Sequence, residues 1–212
     1  RVGLYSSPGM LSFNDRIRVN DDFIPCKEAY RLFKEVVKVY DANNPDSSDK
    51  LSFFEIITVV ALLYFRDQKT DFVIMEVGLG GRYDGTNIFK EKLLSIITKI
   101  GLDHTAILGY SLEKIAYEKA GIIQENDNVL IYPADNDVVN VISNICKEQN
   151  ANFSILDENN IEIKDISARG NKFSFRNIDY TTKMVGQHQI YNASLALAAI
   201  FNLRSRGIID ID

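Results

Sequence analysis

An apolar segment that runs directly into a glycine-rich loop constrains this chain more than any other feature. Residues 71–75 (DFVIM) are apolar after the first position and contain β-branched side chains, which predicts a buried strand. Four glycines follow within residues 78–85, and glycine permits close backbone approaches that a side chain would block. Ligands of α/β sheets bind at the carboxyl ends of the strands, where this loop would lie. The segment therefore predicts a ligand-binding strand exit.

Glu76 stands at the exit of that strand, and its carboxylate offers the oxygen ligands that hard cations prefer. The same spacing also fits a plain glycine turn in which Glu76 pairs with Arg82, because glycine-rich loops are common. Spacing alone leaves both interpretations open.

The composition narrows the class of protein. The 212 residues are 46% hydrophobic and 25% charged, which is typical of a globular chain with one sizeable core. The net charge of −5 and the lack of a basic run argue against nucleic acid as a partner. The longest apolar stretch, residues 56–65, is too short to span a membrane. Cys26 and Cys146 are isolated and form no metal or disulfide motif, so we expect a cytoplasmic location.

Predicted strands and helices alternate along most of the chain. Residues 153–184 differ, because short alternating segments with Asn and Gly turns predict antiparallel hairpins at a sheet edge. We expect an α/β fold with a mostly parallel sheet and helices on both faces, in a single domain over residues 1–212. The predicted strands are residues 2–5, 72–77, 95–100 and 129–132, and the predicted helices begin at or near Pro25, Ser52, Ser111, Val138 and Gln187.

Further expectations concern local structure. Residues 13–19 alternate enough for an extended segment, and residues 43–50 predict a polar loop. Gly121 is placed to end the helix that Ser111 caps. Helical spacing predicts a buried face of Ala29, Phe33, Val36 and Tyr40 in the first helix, and of Ala193, Ala196, Leu197 and Ile200 in the last.

Several short motifs occur in a fixed order along nearly the whole chain. Together they resemble the central ATPase domain of folylpolyglutamate synthases, enzymes of the Mur ligase superfamily that in many bacteria also act as dihydrofolate synthases. The resemblance implies a P-loop NTPase-like fold. The motifs are residues 5–8 (YSSP), 13–17 (FNDRI), 51–55 (LSFFE), 76–82 (EVGLGGR), 100–105 (IGLDHT), 118–121 (EKAG) and 186–189 (GQHQ) with Asn192.

The resemblance implies an ATP-dependent ligase that joins L-glutamate to a folate or dihydropteroate carboxylate through an acyl phosphate, and that is a monomer when intact. The family's phosphate loop, which ends in Gly-Lys-Ser or Gly-Lys-Thr, and its C-terminal domain do not occur in this sequence. The chain begins at Arg1 without Met or a signal sequence. We therefore expect a truncated central ATP-binding domain that is inactive alone and binds ATP poorly.

By resemblance, two Mg²⁺ ions serve the reaction, and Glu76, His104 and Lys119 are its catalytic residues. Ser7 and Glu76 hold the first ion; His104 holds the second, together with Lys119 carrying a carbamate. We expect Glu76 and His104 at the same sheet edge. Simpler interpretations stay open: Ser7 as a turn former, His104 paired with Asp103, and Lys119 complementing a helix dipole.

The resemblance also implies binding residues for both substrates. His188 and Asn192 are adenine and ribose contacts of ATP; four residues apart, they lie on one helix face, which could equally face water. The substrate-binding positions are Ser52, Phe54, Arg82, Asp84 and Gly85, where an aromatic ring and a carboxylate suit a flat heterocycle with N–H donors.

Phe54 also fits ordinary core, and the sequence departs from the family pattern at several positions. Gly9 stands where the family usually has His, Gly85 where Ala is common, and Ser52 where Thr is usual. These departures leave the choice between dihydropteroate and folate open. Two other functions also remain: a Mur-type ligase for a cell-wall precursor, and a non-catalytic α/β module.

Overall fold

The computed structural model describes residues 1–45, 48 and 50–211. The chain divides into two compact units, Arg1–Phe89 and Lys90–Asp212. Part of the predicted polar loop, at residues 46, 47 and 49, lies outside the described residues. Within the described residues, no helix is both long and apolar enough to cross a membrane.

The first unit is built on a four-stranded sheet of order β3-β2-β1-β4. β1 and β4 are parallel and in register from Val2 opposite Phe72 to Tyr5 opposite Met75, so both strands end at the same level. The chain leaves them side by side at Ser6 and Glu76. The remaining neighbours are antiparallel. The strands are β1 (Val2–Tyr5), β2 (Ile17–Val19), β3 (Asp22–Phe23) and β4 (Phe72–Met75).

Two helices, α1 (Cys26–Asn43) and α2 (Phe53–Asp67), share one apolar core with this sheet. The predicted start of α2 at Ser52 is confirmed by a capping box, in which the Ser52 hydroxyl accepts the Glu55 N–H and the Glu55 carboxylate accepts the Ser52 N–H. Hydrogen bonding of the Glu55 carboxylate by the Ser52 side chain, and by the Ser52 backbone N–H, lowers the pKa of Glu55. A cap of this kind fixes where α2 begins, and therefore where Phe54 lies.

Three local predictions in this unit are corrected in part. The strand β4 is predicted to be buried, but Val73 is 40% exposed and Ile74 57% exposed. The extended segment predicted at residues 13–19 is confirmed at residues 17–19 only. Residues 13–16 form a 3-10 turn, in which the Asp15 carboxylate accepts the backbone N–H groups of Met10, Leu11 and Ser12. In α1 the buried face is Ala29, Leu32 and Val36, while Phe33 is 38% exposed and Tyr40 only partly buried. Two of the predicted residues, Ala29 and Val36, are therefore buried, but the third buried position is Leu32 and not its neighbour Phe33.

The second unit begins with a fully parallel sheet of order β5-β6-β7. Its core contains buried residues of the strands and of α4 and α5, among them Ile97, Ala116, Val129 and Ile142. The elements are β5 (Ser95–Ile97), α3 (Thr105–Leu108), α4 (Leu112–Lys119), β6 (Asn128–Ile131), α5 (Asn136–Glu148) and β7 (Asn152–Ile155).

The predicted hairpins form a sheet of their own rather than an edge of the parallel sheet. Within the described residues, Phe153 belongs to the parallel strand β7, and an antiparallel sheet of order β10-β9-β8 follows. It is not hydrogen-bonded to the parallel sheet, but Phe173 and Phe175 of its central strand are buried in one apolar cluster with Ile190 of the last helix and Leu130 of β6. The elements are β8 (Ile161–Ser167), β9 (Gly170–Phe175), β10 (Ile178–Thr182) and α6 (Gln187–Ser205).

The bounds of α6 are confirmed, but its predicted buried face is only half right, because Ala193 and Leu197 pack against the core while the other two residues do not. Ile200 is 37% exposed and Ala196 is exposed. Apolar residues occur around most of this helix, so spacing could not single out one face. The residues that are buried are Ile190, Ser194, Leu195 and Ala199. The α/β class with parallel strands, helices and late antiparallel hairpins is confirmed, but the described parallel strands belong to two hydrogen-bonded sheets and not one.

Candidate functional site

The exits of β1 and β4 bring two of the predicted metal-binding residues together. The backbone N–H of Ser7 donates to Oε2 of Glu76 over 2.8 Å, and the Glu76 N–H donates to the Tyr5 carbonyl over 2.9 Å. The parallel register causes this contact, because the residues after Tyr5 and Met75 leave the sheet at the same level. Glu76 is solvent-exposed. The pair forms an oxygen-rich, accessible strand exit.

The loop after Glu76 is closed by the Asp84 carboxylate. Its Oδ2 accepts the Leu79 N–H over 2.9 Å, and its Oδ1 accepts the Thr86 N–H over 2.9 Å and the Thr86 hydroxyl over 2.6 Å. Gly80 has a φ of 66°, a conformation that L side chains rarely adopt. The glycine pattern therefore encodes a tight loop held by one carboxylate.

Phe54 packs beneath this loop. A Cβ atom added at Gly78 would lie 2.5 Å from Cζ of Phe54, and one at Gly85 would lie 3.6 Å from its Cδ1. The ring centroid is also 5.9 Å from that of Tyr5. The structure thus brings Phe54, Asp84 and Gly85 together, with Phe54 half-buried against the core.

The other predicted substrate-binding residues are also fixed by local structure. Ser52 caps α2 through its hydroxyl, as described above. The Arg82 carbonyl accepts the Asn87 side-chain amide over 3.2 Å, and Arg82 itself is partly buried. The substrate-binding role of these positions stays a prediction.

Gly9, which departs from the family pattern, is required by the loop after Ser7. A Cβ atom there would lie 2.6 Å from the Ser12 carbonyl oxygen and 2.7 Å from Oδ1 of Asp15. The backbone N–H donated by Leu11, with those of Ser12 and Met10, lowers the pKa of Asp15. Residue 9 cannot carry a side chain in this loop conformation. The loop of this chain therefore requires glycine at the position where the family usually has His.

His104 lies in the second unit at the start of α3, with a left-handed backbone (φ 49°, ψ 36°). This conformation costs a non-glycine residue on the order of 1–3 kcal/mol and is concentrated at functional sites. The His104 N–H donates to Oδ1 of Asp103 over 2.8 Å, and its Nε2 is 3.8 Å from Oδ2. Both side chains are mostly exposed, so this ion pair contributes little to stability.

Lys119 is the last residue of α4 and is half-buried. The predicted cap is confirmed, because the Ser111 hydroxyl accepts the Lys114 N–H over 3.3 Å. The predicted role of Gly121 is wrong: α4 continues into a 3-10 turn, Ala120–Ile122, that contains it. Gly121 is not among the glycines with a positive φ, so it does not act as a left-handed helix cap.

A largely buried polar network contacts this turn. Lys92 Nζ donates to the Ile122 carbonyl over 2.8 Å and lies 3.4 Å from Oδ2 of Asp127. Oδ2 also accepts the Ser95 hydroxyl over 2.6 Å. The Asp127 side chain is 1% exposed. The network connects the start of β5 to the turn that follows Lys119.

His188 and Asn192 both lie on exposed positions in the first turns of α6. His188 borders an open groove of about 560 Å³, which sequence reasoning missed. Tyr132 and Tyr191 form part of its wall, with ring centroids 5.9 Å apart. The residues that follow β6 could have indicated this groove, because ligands of α/β sheets bind at the carboxyl ends of strands. The lining residues are Lys99, Tyr132, Pro133, Ala134, Asp135, Glu158, Gln187, His188 and Tyr191.

The donor set decides which residues fit Mg²⁺. Within the described residues there is no group of three or more His, Cys, Asp and Glu that could hold a metal. Glu76 and Ser7 are adjacent oxygen donors that fit a hard cation whose other ligands are phosphate and water. His104 and an unmodified Lys119 offer only nitrogen, so they fit Mg²⁺ only with the carbamate. Whether Glu76 and His104 share one edge stays a prediction.

Comparisons with known proteins agree with this architecture. Residues 26–200 match the model of the Mur ligase middle domain. The chain is 37% identical over 217 residues to the dihydrofolate synthase/folylpolyglutamate synthase of Bacillus subtilis, covering 99% of this chain and 50% of the relative.

Solved structures agree as well. The folylpolyglutamate synthase of Thermotoga maritima superposes with a TM-score of 0.87 at 28% identity, over 100% of this chain and 49% of that one. A folylpolyglutamate synthase in complex with AMPPCP and folate gives 0.88 at 25%, over 100% and 53%. The chain spans about half the length of the relatives it matches. It belongs to the Mur ligase middle-domain family, as its motifs predicted, and these relatives are dihydrofolate and folylpolyglutamate synthases.

Proposed function

We propose that this chain is the central ATP-binding part of a ligase that adds L-glutamate to a folate or dihydropteroate carboxylate through an acyl phosphate. The observation that carries the proposal is the contact between Ser7 and Glu76 at two parallel strand exits, beside a glycine loop. The names of the relatives and the AMPPCP and folate complex support the substrate classes.

Ser7 and Glu76 would hold Mg²⁺, which when bound reduces the repulsion between a triphosphate and the incoming carboxylate. The N–H of Ser7 orients the Glu76 carboxylate by occupying one side of Oε2. Asp84 keeps the glycine loop closed, and the lack of a Cβ at Gly78 lets the loop backbone lie directly against the Phe54 ring. These residues position charge rather than react covalently.

The second unit supplies the other proposed contacts. His104, strained at the start of α3, and Lys119, at the end of α4, would together serve a second Mg²⁺ once Lys119 is carbamylated. His188 and Asn192 would contact the adenosine of ATP from the exposed face of α6. The groove beside His188, with its tyrosine wall, is of a size and chemistry that fit a nucleobase.

Phe54, with Ser52, Arg82, Asp84 and Gly85, would line the pteroate pocket. Its ring also supports the glycine loop, so one residue would serve both the pocket and the loop. The monomeric state and the cytoplasmic location remain predictions.

The proposal is tested with the complete product of the source gene. We expect ATP-dependent conversion of dihydropteroate or folate, with L-glutamate, into the glutamylated product, followed by mass spectrometry and ADP release. Glu76→Gln keeps the shape but removes the charge and should lower turnover about 10²–10³-fold. Glu125→Gln, an exposed acid in a turn, is the matched control and should leave turnover unchanged.

Failure of both pteroates while a cell-wall precursor is aminoacylated would overturn the folate assignment. Absence of any ATP-dependent ligation, or of a Gly-Lys-Ser or Gly-Lys-Thr loop in the source gene upstream of Arg1, would favour a non-catalytic module.

A further inference from the structure

Asn171 links the antiparallel sheet to the entrance of α6 through a buried side-chain amide. It is the second residue of β9, and only 1% of its surface is exposed. Its Nδ2 donates to the Met184 carbonyl over 2.8 Å and to the Gly186 carbonyl over 3.0 Å. Both carbonyls lie in the segment that connects β10 to α6. One side chain therefore fixes the path of that connection.

The other end of this amide is unsatisfied. Oδ1 of Asn171 is buried without a hydrogen-bond partner among the described residues. A buried polar atom without a partner is destabilising, whereas an apolar side chain at this position would carry no such cost. Flipping the amide would direct Oδ1 at two carbonyl oxygens, so the orientation is determined by chemistry. Asn171 thus contributes chiefly through the two carbonyls that it binds.

Gly186 is the residue through which this anchor reaches the helix. It precedes α6 with a φ of 103°, and its carbonyl also accepts the Gln189 N–H over 3.0 Å. The His188 ring lies against Gly186: a Cβ atom added at Gly186 would be only 2.8 Å from Cε1 of His188. The placement of the Gly186 peptide therefore sets the start of the helix and the position of His188. Asn192 follows one helical turn later.

We propose that Asn171 is a positioning residue for the nucleotide contacts of α6. It does not touch the nucleotide itself, since it is buried; it holds the Met184–Gly186 segment so that His188 and Asn192 keep a fixed place on the surface. The inference rests on the proposed function in one respect, the ATP contact made by His188 and Asn192. The anchor itself is independent of that assignment.

Hydrogen exchange tests the anchor in this chain without any nucleotide. Asn171→Asp has the same shape but lacks the amide donors, so we expect amide exchange in residues 187–191 to accelerate about tenfold, equivalent to about 1.4 kcal/mol. Ser174→Ala is the matched control, because Ser174 is also buried on β9 but bonds Glu162 instead. It should leave exchange in residues 187–191 unchanged. If Asn171→Asp does not fold, Asn171→Ser, which keeps one donor, should show a smaller acceleration.

Nucleotide affinity tests the consequence in the complete gene product. Asn171→Asp should weaken MgATP binding about tenfold while leaving the KM for the pteroate substrate unchanged, and His188→Ala and Asn192→Ala should also weaken it. Unchanged exchange in residues 187–191 of a folded Asn171 variant would overturn the anchor. The positioning role is wrong if Asn171→Asp accelerates exchange but leaves MgATP affinity unchanged, while His188→Ala weakens MgATP binding. If neither α6 variant weakens binding, the proposed ATP contact fails, and exchange alone then supports or overturns the anchor.

Discussion

Replacing Asp127 with alanine is expected to lower the free energy of unfolding by about 3–5 kcal/mol, the typical cost of breaking a buried ion pair. The Asp127 carboxylate is 1% exposed and accepts the Ser95 hydroxyl, the Asn128 N–H and the Gln124 N–H. Its removal leaves the Lys92 ammonium, 19% exposed, without this counter-charge. Ser95 loses its acceptor as well.

The measurement is urea unfolding of the unchanged chain and of the variant. A shift of the unfolding midpoint without a change of m-value reports a change in stability. The matched control is Asp179→Ala, which removes an exposed pair with Lys164 at 2.5 Å, where Asp179 is 71% exposed. Exposed pairs contribute little, so we expect the control to shift the midpoint far less. Equal shifts for the two variants would show that the Asp127 network is not a special source of stability.

Lys119→Ala in the complete gene product is expected to lower ligation by about 10²–10³-fold while leaving the fold intact. Lys119 ends α4, and its proposed carbamate would provide the oxygen ligands that a plain lysine lacks. Removing the Lys119 side chain at the end of the helix should lower the free energy of unfolding only slightly. Short carboxylates added to the buffer should partly restore turnover, because they replace the missing oxygens.

Turnover, circular dichroism and intact-mass analysis measure this together. Lys114→Ala is the matched control, since Lys114 is exposed on the same helix, and it should keep normal turnover. A Lys119→Ala enzyme with undiminished turnover would eliminate the carbamate role.

The strand exits could be predicted from the sequence because the signals there are local. An apolar β-branched run followed by glycine gives the exit at Glu76, and the Ser52–Glu55 spacing gives the start of α2. The contact between Ser7 and Glu76 needs more, namely the parallel register of β1 and β4, which joins residues about seventy positions apart. The family motifs supplied that pairing as an expectation.

Other features depend on tertiary contacts that short sequence windows do not contain. The turn at residues 13–16 exists because Asp15 binds three backbone N–H groups, which alternation cannot show. The groove beside His188 joins Tyr132 to Tyr191 from distant parts of the chain. The role of Asn171 could not be predicted for the same reason, because its partner Met184 lies in a segment beyond the next strand.

Transfer of ¹⁸O from the substrate carboxylate tests the central chemical claim most directly. The complete gene product is incubated with MgATP, L-glutamate and a pteroate whose reacting carboxylate carries ¹⁸O. A carboxylate oxygen attacks the γ-phosphorus and releases ADP; glutamate's amine then attacks the acyl carbon, and that oxygen leaves with the phosphate.

We expect one ¹⁸O atom in each molecule of inorganic phosphate formed with product, and none when glutamate is ligated from unlabelled pteroate. Product formed with unlabelled phosphate, or with the label in AMP, would contradict an acyl phosphate at this site.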